Sequence, residues 1–277
     1  MKGLSKKIFT SILALILTGA ALGTGVFAWF TINNTATANG FEGQVEAASG
    51  GFMVSRDGTT WSTSVDLKDV PVIGGKFSDL TTVDGIDFYK FGNNENVVTT
   101  GYVSFDLYFA AGDFKNIEAT VTIHESEKTT WVSDIPDSVG DTKEGYASSA
   151  VRVAFIQDGT LTKAFERAAD TNNTVGVGTL TTNQAVLDYN AVNSNVITST
   201  NFAKVGSADV LAKGTLNTAA ADVAELGELL SGMTEAGEGY TKYAKVTVNV
   251  WIEGWDQEAY NAILNGKVNI DFSFKAK

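Results

Sequence analysis

The chain contains a single histidine, and the residues around it begin like a zinc-protease motif. His124-Glu125-Ser126-Glu127 starts as His-Glu-x-x-His does, but no second histidine follows, so a His-rich zinc site cannot be assembled. A Ser-His-Asp triad would need the same histidine, and no Gly-x-Ser-x-Gly turn occurs in the sequence. We therefore interpret His124 as a solvated or salt-bridged residue on the polar face of a strand.

Paired carboxylates are the second arrangement that could do chemistry. Asp134 with Asp137, and Glu253 with Asp256, each stand three positions apart, and two carboxyl groups can act as the acid and the nucleophile of a glycosidase. Both pairs fall at predicted strand ends and turns, where solvated acidic residues are normal. We predict that the protein is not an enzyme, and a secreted hydrolase or metalloprotease is the weakest of the functional interpretations.

Acidic residues also cluster where they could bind calcium. Asp134, Asp137, Asp141 and Glu144 offer the hard oxygen ligands that Ca²⁺ prefers. None of them follows the spaced loop pattern D-x-[DN]-x-[DN]-G. These four residues are weak calcium candidates, and no other metal or cofactor is predicted.

Aromatic residues offer a third possibility, a platform on which sugar rings could stack. Trp61, Trp131, Trp251 and Trp255 are the candidates. Trp251 stands opposite the apolar row of its own strand. We expect it either to pack beneath a short helix or to lie at a subunit contact.

Four segments that would position these residues alternate between apolar and polar side chains. They cover residues 103–109, 117–123, 244–252 and 268–274, and such alternation is typical of strands with one buried face. A single strand of this kind is not stable alone in water. Several of them, paired into two sheets whose apolar faces pack together, predict a β-sandwich.

Shorter segments complete the predicted sheets. Residues 51–55 and 59–63 flank Asp57-Gly58 and predict a hairpin, since Asp-Gly tolerates the positive φ angles of a tight turn. Residues 150–156 are apolar on both faces except at Arg152, which indicates a central strand. Further strands are predicted at residues 41–47 and 87–91.

Residues 159–240 differ in character, because they are rich in Ala, Thr, Asn and Gly and contain few aromatic residues. We interpret them as a large, partly helical insertion, with an amphipathic helix at residues 217–230. A second short helix is predicted at residues 256–264, ended by Asn265-Gly266. The predicted fold class is all-β: a jelly-roll-like antiparallel β-sandwich with this insertion and a short helix before the last strand.

The first 28 residues have the layout of a signal peptide. Lys2, Lys6 and Lys7 precede the apolar run 8–21, and Val26-Phe-Ala28 is a small-x-small cleavage site. We predict cleavage between Ala28 and Trp29 and secretion without a stable membrane anchor. A retained anchor over residues 8–30, which is long enough to span a bilayer, is the alternative.

Charge and cysteine content limit the partners. Residues 1–28 carry three Lys and no acidic residue, so the formal charge of −12 becomes −15 without them. This charge disfavours nucleic acid and anionic lipid. With no Cys, disulfides and thiolate metal sites are excluded. Residues 41–277, predicted to form one domain, must therefore be held together by a hydrophobic core.

The N-terminal region resembles the TasA/camelysin family of exported matrix proteins. The Lys-rich start, Gly-Thr-Gly-Val-Phe-Ala28, and Trp29-Phe-Thr with its Thr/Asn-rich continuation carry the resemblance, which is firm over residues 1–50. Ile32 and Asn33 stand where the family commonly has an acidic residue. The resemblance implies processing by a dedicated signal peptidase, SipW, and a jelly-roll-like domain.

The resemblance also implies polymerisation by a donor-strand arm, here residues 29–40. In such fibres the mature N-terminal arm pairs as a strand in the next subunit. An open sheet edge can accept such a segment, and because donor and acceptor surfaces differ, the contact runs head-to-tail into filaments. The apolar anchors would be Trp29, Phe30 and Ile32, and the alternate face would carry Thr31, Asn33, Thr35 and Thr37.

The expected function is therefore that of a secreted structural subunit of an extracellular fibre or biofilm matrix. Its partners would be further copies of itself, the signal peptidase, and other matrix proteins or polysaccharide. Two alternatives stay open. The arm could pair within its own subunit, and the protein could be a monomeric cell-surface adhesin or carbohydrate-binding β-sandwich.

Overall fold

A computed structural model of the chain describes residues 41–45, 53–67, 69–91, 93–111, 116–133, 138–167, 184–192, 197, 215–217, 221–228, 230–231, 242–256, 259 and 268–276. Strands dominate these residues, and the helical elements among them are a 3-10 turn at Ala147–Ala150 and one α-helix, α1 (Gln184–Val192). The all-β prediction is therefore confirmed.

The described strands follow one another along the chain with short connections in most places. They are β1 (Phe41–Val45), β2 (Met53–Ser55), β3 (Ser64–Asp66), β4 (Asp79–Thr81), β5 (Phe88–Lys90), β6 (Asn93–Val98), β7 (Val103–Ala111), β8 (Asn116–Ile123), β9 (Lys128–Val132), β10 (Thr142–Tyr146), β11 (Val151–Gln157), β12 (Thr160–Glu166), β13 (Thr215–Asn217), β14 (Ala221–Glu228), β15 (Leu230–Ser231), β16 (Lys242–Glu253) and β17 (Ile270–Ala276).

A five-stranded sheet has the order β14-β8-β17-β1-β3. The pairs within it are antiparallel except for β1 and β17, which run parallel with Phe41 opposite Ile270 and Val45 opposite Phe274. This pairing joins strands from opposite ends of the described chain. The sheet is therefore mixed, not purely antiparallel as predicted.

The larger sheet is built around β16, a strand of 12 residues. β7 pairs antiparallel with it along one side and β11 along the other, and the main path runs β13-β12-β11-β16-β4-β5-β6. β9 and β10 form a separate two-stranded ribbon. The alternating segments found in the sequence all became long strands, because each one has an apolar face to bury.

The main hydrophobic core receives side chains from both sheets. Phe272 and Phe274 on β17 of the smaller sheet meet Phe105, Phe109 and Phe155 of the larger sheet in edge-to-face contacts, with ring centroids 4.8 to 6.2 Å apart. Aromatic pairs favour this geometry, and burying each such ring stabilises the fold by about 2–3 kcal/mol. The aliphatic rows of β7, β8, β11 and β16 fill the rest of this core.

A second core lies on the opposite face of the larger sheet. Trp251 on β16 and Ala154 on β11 stand here, one position away from neighbours that point into the main core. Leu80, Phe88 and Trp255 pack against them. β11 is thus buried on both faces, which confirms the prediction of a central strand.

The helix predicted at residues 217–230 is wrong. The described part of this segment forms strands, and β14 pairs antiparallel with β8 from Ala221 opposite Thr122 to Glu228 opposite Asn116. Ala, Leu and Glu favour helices only weakly, by tenths of a kcal/mol per residue, so an available sheet edge outweighs them. The register shift between Glu225 and Gly227 falls at a glycine, which disfavours a helix by about 1 kcal/mol relative to alanine.

The region assigned to the insertion contains both sheet and helix. β12 begins one residue into it and pairs with β11 along its whole length, across the two-residue turn Asp158-Gly159. α1 supplies the helical part, and its Val186 is fully buried in the second core. The short helix predicted at residues 256–264 lies almost wholly outside the described residues.

The predicted hairpin after residue 51 is confirmed in part: residues 53–55 form a strand, but of residues 59–63 only Ser62 bridges to it. Val54 and Ser62 exchange two backbone hydrogen bonds of 2.8 and 3.0 Å across the turn. Gly58 takes a positive φ of 72°, while Asp57 stays in the ordinary region. Glycine alone supplies the left-handed conformation there.

Candidate functional site

The cleavage site at Ala28–Trp29 and the arm at residues 29–40 lie outside the described residues. What the structure does describe is where such an arm would be attached. β1 begins directly after the arm, and it is hydrogen-bonded on both sides, to β17 and to β3. Withdrawing β1 would break two ladders, so the arm joins the domain at a fixed interior strand.

Each sheet also ends in strands that have one described neighbour. β3 and β14 end the smaller sheet, and β13 and β6 end the main path of the larger one. β14, with eight residues, is the longest of these four strands. A strand edge presents N–H and C=O groups that a further strand can pair with.

The tryptophans do not gather into one exposed platform. Trp251 is 0% exposed and Trp255 is 3% exposed, and both belong to the second core. The expectation of a subunit contact at Trp251 is therefore wrong. Trp61 and Trp131 are half-buried, Trp61 against Ala110 and Trp131 against the main core, so of the four candidate tryptophans these two are partly exposed.

The acidic residues proposed for calcium are only partly described. Asp134 and Asp137 lie outside the described residues. Asp141 and Glu144 are exposed and paired with lysines: Lys143 Nζ lies 3.7 Å from Asp141 Oδ2, and Lys128 Nζ lies 2.7 Å from Glu144 Oε2. In the described part of the chain, no three His, Cys, Asp or Glu side chains come together as a metal site would require.

His124 lies at the end of β8 beside β17. Its Nε2 is 2.7 Å from Asp271 Oδ2, and both side chains are partly exposed. This confirms its interpretation as a solvent-facing, salt-bridged histidine. The contact ties two strands of the smaller sheet together next to β1.

A group of buried ionisable side chains surrounds Arg152, the one charge noted in the apolar strand β11. Its Nη2 lies 2.6 Å from Glu166 Oε2 on β12 and 2.7 Å from Asp256 Oδ2 in the turn after β16. Its Nη1 donates hydrogen bonds to the carbonyl oxygens of Ser149 and Val151. All three charged side chains are at most 3% exposed, so water screens none of them.

A third buried carboxyl group, that of Glu253, stands beside this trio at the end of β16. Glu253 Oε2 accepts a hydrogen bond from the Trp251 indole at 3.0 Å, and Oε1 accepts one from the Trp255 backbone at 3.1 Å. One guanidinium therefore faces three buried carboxyl groups. We call Arg152, Glu166, Glu253 and Asp256 the Arg152 cluster.

Burial sets the protonation of these groups. It raises the pKa of Glu253 from 4.5 to about 7 and also raises the pKa of Glu166, against the opposing effect of Arg152. Burial likewise raises the pKa of Asp79, on the neighbouring β4, from 3.8 to about 6. Burial works to lower the pKa of Arg152, but Asp256 and Glu166 raise it overall, so the guanidinium stays charged.

The structure thus brings together one carboxylate pair considered for catalysis, Glu253 and Asp256, but encloses both. Each is occupied by neighbouring groups and is at most 1% exposed, so no substrate reaches them from solvent. Through their contacts with the Trp255 backbone and with Arg152, Glu253 and Asp256 stabilise the turn that follows β16. Sequence reasoning missed Glu166 and Asp79 because both belong to other strands, although a lone Arg in an apolar strand signals a buried partner.

No helix among the described residues is both long and apolar enough to cross a bilayer. Comparisons of the chain with protein-family models, with curated proteins and with solved structures found no match.

Proposed function

We propose that the protein is a secreted structural subunit that polymerises head-to-tail into extracellular fibres. The architecture we propose for it is a jelly-roll-like β-sandwich. Its N-terminal arm, residues 29–40 after removal of the signal peptide, pairs as a donor strand with the sheet edge of the next copy. Polymerisation begins when the signal peptidase frees the arm.

The observation that carries the proposal is the position of β1. A donor segment transmits force between subunits only if its root is fixed in its own domain. β1 is held by backbone ladders on both sides, to β17 and to β3. The 12 arm residues, fully extended, reach about 40 Å from Phe41, which is enough to cross to a neighbouring domain.

The acceptor is an edge of a neighbour's sheet, and β14 is the best of the described candidates. Its eight residues match the length of a donor segment that spans most of the arm. Main-chain hydrogen bonds would supply affinity, while apolar side chains of Trp29, Phe30 and Ile32 would fill pockets and fix the register. The formal charge of −15 limits non-specific association between mature subunits.

Two purified proteins test the proposal, one starting at Trp29 and the other at Phe41. The longer protein should form filaments under negative-stain microscopy, and the shorter one should stay monomeric by light scattering. At a concentration too low for assembly, circular dichroism and melting temperature should agree between them, because the arm contributes to assembly and not to the domain.

Filaments from the shorter protein would show that the arm is dispensable and would overturn the proposal. Monomers of the longer protein that bind glycans through Trp61 or Trp131 would favour the adhesin. Turnover of casein or a polysaccharide, lost on chelation or on replacing His124, would favour a hydrolase.

A further inference from the structure

Three Asp-Gly pairs occur in the sequence, and the structure places them in different surroundings. They are Asp57-Gly58, Asp84-Gly85 and Asp158-Gly159. All three lie in turns, and each glycine has a positive φ near 70°. The first and third pairs are both followed by Thr, so their intrinsic chemical reactivity is matched.

An Asp-Gly pair can rearrange without an enzyme. The glycine amide nitrogen attacks the protonated side-chain carboxyl carbon, a C–N bond forms, and a water molecule leaves, which closes a five-membered succinimide. Hydrolysis adds a water back, and opening at the backbone carbonyl gives isoaspartate, so the overall composition is unchanged. Glycine permits the attack because it has no Cβ to obstruct it.

The first pair is blocked at both reacting groups. The Gly58 amide donates a 3.0 Å hydrogen bond to Ser55 Oγ. Asp57 Oδ1 accepts hydrogen bonds from the backbone amides of Thr59 and Thr60 at 2.8 and 2.7 Å. These amides, with the Ser55 hydroxyl, lower the pKa of Asp57, so its carboxyl group stays ionised and cannot readily release water.

The second pair repeats this arrangement. The Gly85 amide donates to Thr82 Oγ1 at 2.9 Å, and Asp84 Oδ1 accepts from the amides of Ile86 and Asp87, each at 2.9 Å. Rotation of Asp84 toward the glycine nitrogen would break both contacts to Asp84 Oδ1, and attack by the Gly85 amide would break its bond to Thr82.

The third pair has none of these restraints. Asp158 is exposed at the tip of the β11–β12 hairpin, and its carboxyl group makes no hydrogen bond or ion pair with any residue that the structure describes. No such bond engages the Gly159 amide, and a Cβ at Gly159 would have no heavy atom within 4 Å. Asp158 also holds a positive φ of 50°, which a residue with a side chain adopts at a cost.

We propose that Asp158-Gly159 is the Asp-Gly pair at which the folded protein forms isoaspartate, while Asp57 and Asp84 are protected. The modification inserts one methylene group into the backbone of the two-residue turn between β11 and β12. The fraction of molecules with isoaspartate at this site therefore increases with the age of the protein. The hairpin concerned, β11–β12, contributes residues to both cores.

Trypsin separates the three pairs into different peptides, residues 57–68, 77–90 and 153–163, which allows a direct test. The purified full chain is incubated at pH 6 and 37 °C, digested at intervals, and analysed by mass spectrometry with fragmentation that distinguishes isoaspartate. We expect isoaspartate in peptide 153–163 to form at least about tenfold faster than in the other two. Tenfold corresponds to about 1.4 kcal/mol, the scale of one or two lost hydrogen bonds.

Two controls separate structure from local sequence. In 8 M urea, Asp57 and Asp158 should react at similar rates, because both are followed by Gly-Thr. In the folded protein, Ser55→Ala should raise the rate at Asp57, since it frees the Gly58 amide. Equal rates at Asp57 and Asp158 in the folded wild-type chain, or a faster rate at Asp57, would overturn the proposal.

Discussion

Arg152 shows how one residue can define a buried polar centre in an otherwise apolar sheet. Its guanidinium satisfies two carboxylates at 2.6 and 2.7 Å in surroundings without water. A buried ion-pair group of this kind adds little net stability compared with apolar side chains of similar size. Removing one of its members is nevertheless costly, because the remaining charge is then buried without a partner. Three carboxyl groups around one cation leave an excess of negative charge, and a bound proton relieves it.

Stability should therefore depend on pH through Glu253. Its pKa is raised from 4.5 to about 7 by burial, so the folded protein holds a proton that the unfolded chain has released. The stabilising contribution of Glu253 is then complete below about pH 4.5, falls as pH rises toward 7, and is lost above that. The fall amounts to about 3 kcal/mol, and Asp79, with its pKa raised to about 6, adds to it over pH 4 to 6.

Urea unfolding at pH 5 and pH 8 checks this for wild type and for Glu253→Gln. The substitution removes the titrating carboxyl group but keeps the size of the side chain. Between pH 5 and pH 8 the free energy of unfolding should therefore fall clearly less in Glu253→Gln than in wild type. Glu144→Gln is the matched control, since Glu144 is exposed, and it should retain the wild-type slope. The idea fails if Glu253→Gln and wild type show the same slope.

The sequence marked Arg152 as exceptional but did not identify its partners. A charged residue within an apolar strand implies a buried counter-charge, and that inference needs no structure. Glu166 lies directly opposite Arg152 across the β11–β12 hairpin, whereas Asp256 is 104 residues away in the chain and reaches Arg152 through the pairing of β11 with β16. The sequence shows that Arg152 needs a buried acidic partner, whereas the identity of that partner depends on how the strands pair.

Among elements, the strands with strict alternation were predicted well and the helical segments poorly. β7, β8, β16 and β17 each carry an apolar row that has no stable alternative to burial in a sheet. The 217–230 segment has an apolar spacing that fits both a helix and a strand, and its outcome was decided by the free side of β8. The spacing of apolar residues predicts the type of secondary structure only where it fits the helical period or the strand period, but not both.

The turn after β16 provides a test at this scale. The Gly254 amide donates a hydrogen bond to Leu80 O at 2.7 Å, and a Cβ at Gly254 would lie 2.4 Å from Phe91 Cβ. Phe91 is itself packed against Trp255 and Tyr189, so it has no room to move aside. Gly254→Ala should therefore lower the free energy of unfolding by about 1–3 kcal/mol or more, as overpacking does.

Gly140→Ala is the comparison for Gly254→Ala. Gly140 has a φ of 87° but no heavy atom within 4 Å of an added Cβ, so only backbone strain of about 1 kcal/mol applies. Chemical denaturation of both variants gives the two costs. A smaller loss at Gly254 than at Gly140 would show that Phe91 yields and that the turn is not tightly packed.

For the whole molecule, β1 marks where the part of the chain that the folded domain needs begins. A chain that starts at residue 41 should keep a cooperative unfolding transition, while one that starts at residue 46 should lose it. Without β1, β17 keeps only β8 as a partner, β3 has no partner left in this sheet, and the smaller sheet is divided. Circular dichroism melts of the two proteins check this, and indistinguishable melts would mean that β1 is peripheral.

The parallel contact between β1 and β17 also sets the order in which the protein can mature. Of the described strands, synthesis makes β1 first and β17 last, and all the others lie between them. Contacts so distant in sequence form late, because a large loop must close first. The smaller sheet can therefore be completed only after β17 has been synthesised, and until then the apolar row of β17's partner strand β8 lacks that neighbour and is open to chaperones.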